Sequence, residues 1–335
     1  MTMRIEGDGF TTVHATGGTF DITGRITLTP VDCGPVDPPE PEWTWPGPAT
    51  TGVPHGVELA TITAPIGADT MTATAYVVMR AGAEFRNIRF ERLVTVRAPG
   101  VKFINCWFAG VENPGSSVAL LNIRDDRPAT GAVPSASATR CTFLPTHRPR
   151  AGHLLDAVRG SQVRLTACEI AHTVDGVHIF GSTAADDPHA GHVLVESCWI
   201  HDLTVAPDPG QSATGGLTHN DAVQIVGGSS IHIVGNDLGD ARMASIMLAP
   251  GTRNARSTGD IVIRRNRIGV SSSGINVNDS RLPGPLQGLV IEDCEVARQP
   301  KGIIVSGRAL DTGGAVITGN TWADDGSPVP VRRGA

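Results

Sequence analysis

Charge is scarce in this sequence. Only 18% of its 335 residues are Asp, Glu, Lys or Arg, and Lys and Glu are the poorest represented. Gly and Pro together make up 64 residues. That composition excludes a mainly helical protein and points to short strands joined by turns. No block of five Lys or Arg occurs, and the net charge is −6. A basic stripe for the phosphate backbone is therefore lacking, and nucleic acid is not expected as a partner. No apolar run approaches eighteen residues, so no membrane span is predicted. Met1 to Phe20 has no charged stretch followed by an apolar one, so no secretory leader is predicted either. The six cysteines include no CxxC spacing, which removes the common zinc and thioredoxin-like motifs.

What is present falls into zones. Apolar residues make up 40% of the chain, enough for a real core. Residues 1–32 alternate polar and apolar positions between Gly turns and predict a small β module, too short to bury much surface alone. Residues 33–42, CGPVDPPEPE, hold four prolines and predict a semi-rigid linker. Residues 43–325 form the body, opening at Trp43 and Trp45, and residues 326–335 are left as a C-terminal tail.

The body repeats. An apolar-x-apolar-x-x-(Cys/Asn)-x-apolar pattern runs through Val101/Phe103/Cys106/Phe108, Val163/Leu165/Cys168/Ile170 and Val193/Val195/Cys198/Ile200. It continues through Ile231/Ile233/Asn236/Leu238, Ile261/Ile263/Asn266/Ile268, Leu289/Ile291/Cys294/Val296 and Ala315/Ile317/Asn320/Trp322. Weaker copies are Ala83/Phe85/Ile88/Phe90 and Cys141/Phe143. The steps run from 18 to 38 residues and are mostly near 28. A second apolar strand follows most copies, as at 176–179, 222–225, 245–248, 274–277 and 302–305. This predicts an all-β fold, a right-handed parallel β-helix of about nine coils. Stacked coils pair their backbones at about 4.8 Å and share one dry core. A β-sandwich would show hairpin turns at much shorter spacing.

The repeat also explains the cysteines. Cys106, Cys141, Cys168, Cys198 and Cys294 share one column with Asn236, Asn266 and Asn320. A column that takes both residue types is a tight inward turn, where Asn amides bond neighbouring coils and Cys fills the slot as a small hydrophobe. Structural free thiols are expected there, while Cys33 stands apart in the linker.

Candidate chemistry gathers on the middle coils. Alignment on Val177 and Val223 stacks Asp175 on Asp221 and His178 on Gln224, with Asn276 two coils further along the same outer column. Carboxylates on adjacent coils lie about 5 Å apart, suitable for acid–base work on a glycosidic bond. No metal or cofactor is required, although the same oxygens would suit Ca2+. His178, His201 and His219 are the candidate proton carriers, the first and last of them beside Asp175 and Asp221. His172, His201, Asp202, Gln224 and Asn276 are candidate glycan contacts. Trp107 and Trp199 each follow a ladder cysteine and face outward on one side, where rings can stack on sugars or meet another subunit. The loop 203–218 is long enough to be functional. The competing reading is turn chemistry, in which Asp175 and Asp221 bond backbone N–H groups before an apolar strand.

Residues 43–325 resemble the pectate-lyase-like superfamily of β-helices. The segment WPGPATTGVPHGVEL, with Thr51–Pro54 its most specific part, and the later VTVRAPGVKFINCWF carry the resemblance to a group from actinobacteria and their phages. Residues 12–30 are similar to small β modules at the front of actinobacteriophage minor tail proteins. The superfamily includes polysaccharide lyases, hydrolases, epimerases and trimeric tailspikes. The Gly-His-Gly and Arg-x-Lys elements of polygalacturonases are missing, and no lyase arginine can be placed. The resemblance thus implies a virion component, a minor tail or tailspike-like protein contacting host-surface polysaccharide. It further implies a homotrimer joined to other virion proteins through residues 1–42. Two other outcomes stay open: an extracellular or virion-borne polysaccharide lyase or glycoside hydrolase, and a passive shaft without ligand.

Overall fold

The structure is a computed structural model. It describes residues 44–115, 118–123, 132–180, 190–211, 215–250 and 258–334. The expected β module at 1–32 and the linker at 33–42, Cys33 included, lie outside the described residues.

The chain from Trp45 onward is a parallel β-helix. Each full coil contributes to three sheets, here called A, B and C in chain order around the coil. Sheet A has nine strands, from Glu84–Arg86 to Val316–Thr318. Sheet B has ten, from Ala60–Thr61 to Thr321–Trp322. Sheet C has eleven, ending in Val331–Gly334. All pairings between coils are parallel; the one antiparallel strand pair among the described residues is Thr70–Met71 with Ala75–Val78, beside the first coil. Of residues 326–335, expected as a tail, the described ones to Gly334 instead continue the helix, because Val331–Gly334 pair in register with Ile303–Ser306.

Like residues stack on like. Leu165, Val195, Ile233, Ile263 and Ile291 follow one another up the inner face of sheet A. The first coils are filled by aromatic rings instead. Phe85 stacks on Phe103 at 5.3 Å and Phe108 on Phe143 at 4.5 Å, all four buried. Flat rings tolerate the spacing set by the backbone, so few aromatics fill a large cross-section.

The corner between sheets A and B is made by a repeated device. Asn87, Asn105, Arg140, Ala167, Ser197, Arg265 and Asp293, with φ of 50–56°, immediately precede the ladder position, as do Gly235 and Gly319. One left-handed residue per coil turns the chain sharply and points the next side chain inward. That side chain then accepts an N–H from the coil before it. Asn236 Oδ1 takes the Cys198 N–H at 2.9 Å, and Asn320 Oδ1 takes that of Cys294 at 3.0 Å. Cysteine sulfur does the same more weakly, Cys141 Sγ taking the Cys106 N–H at 3.4 Å. The five ladder cysteines are buried and unbridged.

Candidate functional site

Sheet C positions the acidic residues. Leu155-Asp156-Ala157-Val158, Val174-Asp175-Gly176-Val177 and Asn220-Asp221-Ala222-Val223 are three copies of one motif on three successive coils. The register Val158↔Val177↔Val223 puts Asp156, Asp175 and Asp221 in a single column. At Gly176 the small residue is forced by packing: a Cβ there would lie 2.4 Å from the Ala222 carbonyl oxygen.

Each lower carboxylate is tied to the coil above. Asp175 Oδ1 accepts the Asp221 N–H at 2.9 Å, and Asp221 Oδ1 accepts the Ala244 N–H at 3.0 Å. Asp221 is fully buried and its Oδ2 has no hydrogen-bond partner. Burial pushes its carboxyl up to about 7, against the Ala244 N–H. Burial, and then the carboxylates of Asp156 and Asp221, push Asp175 well above the usual carboxylate range. Only 6% of Asp175 and 8% of Asp156 is exposed, so any contact with a ligand is at the column's outer edge.

The neighbouring outward column is more open. It runs Asn122, Arg159, His178, Gln224, Met247, Asn276, Ile304, all half-buried. His178 Nδ1 lies 3.3 Å from Asp156 Oδ2 and 4.0 Å from Asp175 Oδ2. Arg159 Nε is 3.9 Å from Asp156 Oδ2. Phe180 closes the group, its ring stacked on His178 at 4.1 Å and under the Arg159 guanidinium at 4.5 Å. Charge, ring and hydrogen-bonding groups of opposite type thus meet on two adjacent coils.

Of the loop 203–218, residues 203–211 and 215–218 are described and stand at the corner between sheets B and C. Thr204 N–H donates to Thr173 O at 2.7 Å, and Pro207 bridges to Leu217. Buried Asn220 fastens it, donating to Val174 O at 2.9 Å and to Thr204 O at 2.5 Å. His219 is half-buried on this segment and outside the bonds of the Asp156 group.

A second group lies on sheet B rather than with the first. His201 Nδ1 is 2.7 Å from Asp202 Oδ2, and its Nε2 is 3.6 Å from Glu169 Oε1, beyond hydrogen-bond range. Burial opposes charge on His201, but the Glu169 and Asp202 carboxylates prevail and raise its pKa. His172 sits at 2.6 Å from Arg148, and burial and that guanidinium lower its pKa. Trp107 and Trp199 do share the outer column, yet Thr142 and Glu169 stand between them, so the rings are three coils or about 14 Å apart. Each ring already has a partner: Arg89 over Trp107 at 4.6 Å, and His201 on Trp199 at 3.5 Å. The segment from Trp45 to Val53 also runs along this face. Trp45 packs under Arg267, Gly52 N–H donates to Ala167 O at 3.0 Å, and Val53 N–H donates to Thr142 Oγ1 at 3.0 Å. The two rings therefore form no continuous platform.

The family described as "Right handed beta helix region" matches residues 133–322. The chain belongs to this family. No curated protein and no solved structure matches it.

Within this β-helix the open polar surface on sheet C is the best candidate site. Asp156, Arg159 and Phe180 complete it and escaped the sequence reading. The Asp-(Ala/Gly)-Val triplet at 156–158 was the available signal for Asp156. Donor atoms of Asp156, Asp175 and His178 all lie within 4.8 Å of one another. One of the three is a ring nitrogen and Arg159 presses on Asp156, a poor match to calcium, which takes six to eight oxygens. Among the described residues no helix is long and apolar enough to cross a membrane.

Proposed function

We propose that this β-helix is the host-contacting part of a phage tail protein and holds a surface glycan against the outer face of sheet C. One observation carries the reading: Arg159, His178, Gln224 and Asn276 present hydrogen-bonding groups on one outward column of rigid strands, with Phe180 beside them. Sugars are bound by such rows of planar polar groups next to a ring. In this reading residues 1–42 join the protein to other virion components, and three copies assemble together. Mass spectrometry of purified virions tests the location: the protein is expected among the tail proteins, and its absence there refutes the assignment. A solution mass of one chain for the assembled tail protein would refute the trimer.

A second reading has its own observation. Burial and the neighbouring carboxylates raise the Asp175 carboxyl well above the usual range, and it lies beside Asp156 with oxygens within 4.8 Å. Two carboxyls at that separation can serve as acid and base or nucleophile on a glycosidic bond. Release of soluble oligosaccharides from actinobacterial envelopes, abolished by Asp156→Asn, would establish this activity. Binding without release leaves the protein a receptor-binding shaft.

A further inference from the structure

Sheet A carries a separate depression of about 520 Å3, on a different sheet from both side-chain groups described above. Its floor is one outward column: Lys102, Ser137, Arg164, Leu194, His232. Lys102, Arg164 and His232 are exposed, and none of the three has an ion-pair partner among the described residues. They alternate with Ser137 and Leu194, so basic groups recur every second coil, about 10 Å apart. One wall is built from Gln162, His192 and Ser230, all with φ of 50–57°, stacked at the start of their strands. Ser135 and Ser230 add hydroxyls along the rim. Of the acidic groups among the described residues, Glu84 stands beside Lys102 on the coil before and is paired with Arg86 at 3.0 Å, Asp260 accepts from Ser230 at 3.0 Å, and Glu196 lies further along the strand from Leu194.

We infer that this groove binds an acidic polysaccharide lying along the stack of coils, with its negative charges spaced at about the two-coil interval. Two exposed cations, Lys102 and Arg164, on a chain of net charge −6 are a local feature, and they attract anions through a short range only. Serine hydroxyls and Leu194 between the cations match the hydroxyls and apolar faces of sugar rings. Nucleic acid fits less well, because among the described residues no Phe, Tyr or Trp lines the groove for bases to stack on. The inference goes beyond the sheet C site and does not depend on it.

The test uses the full-length protein and three probes of matched length: hyaluronan oligosaccharides with one carboxylate per disaccharide, neutral dextran, and single-stranded oligo(dT). Titration calorimetry is expected to show hyaluronan binding that weakens with salt and exceeds that of dextran and oligo(dT). Lys102→Gln and Arg164→Gln are each expected to weaken it about tenfold, since each removes one charge-assisted contact. Both residues are exposed, so an unchanged melting temperature verifies the fold. Arg298→Gln, which removes an exposed cation outside both sites, is expected to leave this binding unchanged, which separates the groove from surface charge in general. Absent hyaluronan binding, equal binding of dextran, tighter binding of oligo(dT), or undiminished binding by a variant carrying both Lys102→Gln and Arg164→Gln would each overturn the inference.

Discussion

Asn236 and Asn266 stand one above the other at the corner of sheets A and B, and one oxygen serves both coils. Asn266 Oδ1 accepts the main-chain N–H of Asn236 at 3.0 Å and its side-chain amide at 2.9 Å. The Asn266 amide in turn donates to Ile233 O at 2.8 Å. Both residues are fully buried. Asn266→Ala would strand two buried donors on Asn236, at about 1–3 kcal/mol each. A loss of about 2–4 kcal/mol in chemical denaturation is expected; a loss below about 0.5 kcal/mol would show that the ladder bonds contribute little.

The cysteines of the same column should be inert. Cys106, Cys141, Cys168, Cys198 and Cys294 are at most 1% exposed. Burial pushes the thiols of Cys141 and Cys198 well up, and that of Cys294 to about 11. Titration of the native protein with a thiol reagent is expected to modify none of these five quickly, and all six cysteines in denaturant. Fast modification of a ladder cysteine would contradict the packing.

The left-handed corner has a cost that glycine relieves. Ala167 has φ of 52°. An L-residue there costs about 1–2 kcal/mol, whereas glycine gives back about 0.4–1 kcal/mol through its freer unfolded state. Ala167→Gly is therefore expected to stabilise the protein by about 0.5–1 kcal/mol. A lower melting temperature would mean that the Ala167 methyl makes contacts worth more than the strain.

Asp221 makes stability depend on pH. Its folded pKa, about 7, lies above the ordinary 3.8, so between these values the native state binds more protons than the unfolded one. Stability is full below the unfolded pKa, falls as pH rises between the two, and levels off above the folded value. The loss is on the order of 4 kcal/mol. Asp221→Asn keeps an oxygen for the Ala244 N–H and cannot ionise. It is expected to be more stable than wild type at pH 8 and to show a flatter profile from pH 4 to 7; an unchanged slope would refute the assignment.

The legible part of the fold was the part that repeats chemically. Cys and Asn in one column, and apolar residues three and five positions before, announce the coils because each must fill the same slot. The left-handed residue before the ladder announces nothing, since Asn105, Arg140, Ala167 and Ser197 share a backbone angle and no side-chain chemistry. At the site, the stack of Asp175 on Asp221 and of His178 on Gln224 was readable from register alone. Asp156 was not, because its coil lacks the regular spacing that placed the others. The pairing of Trp107 with Trp199 shows the opposite limit. Alternation puts both on one face, but only tertiary packing reveals Arg89, His201 and the Trp45–Val53 segment upon it.

The central claim is that sheet C holds a host-surface glycan, and retention on isolated actinobacterial envelopes tests it most directly. Wild-type protein is expected to sediment with the envelopes, and His178→Ala and Gln224→Ala to lose about tenfold in affinity while keeping the wild-type melting temperature. Equal retention of wild type and both variants, or no retention of any, would contradict it.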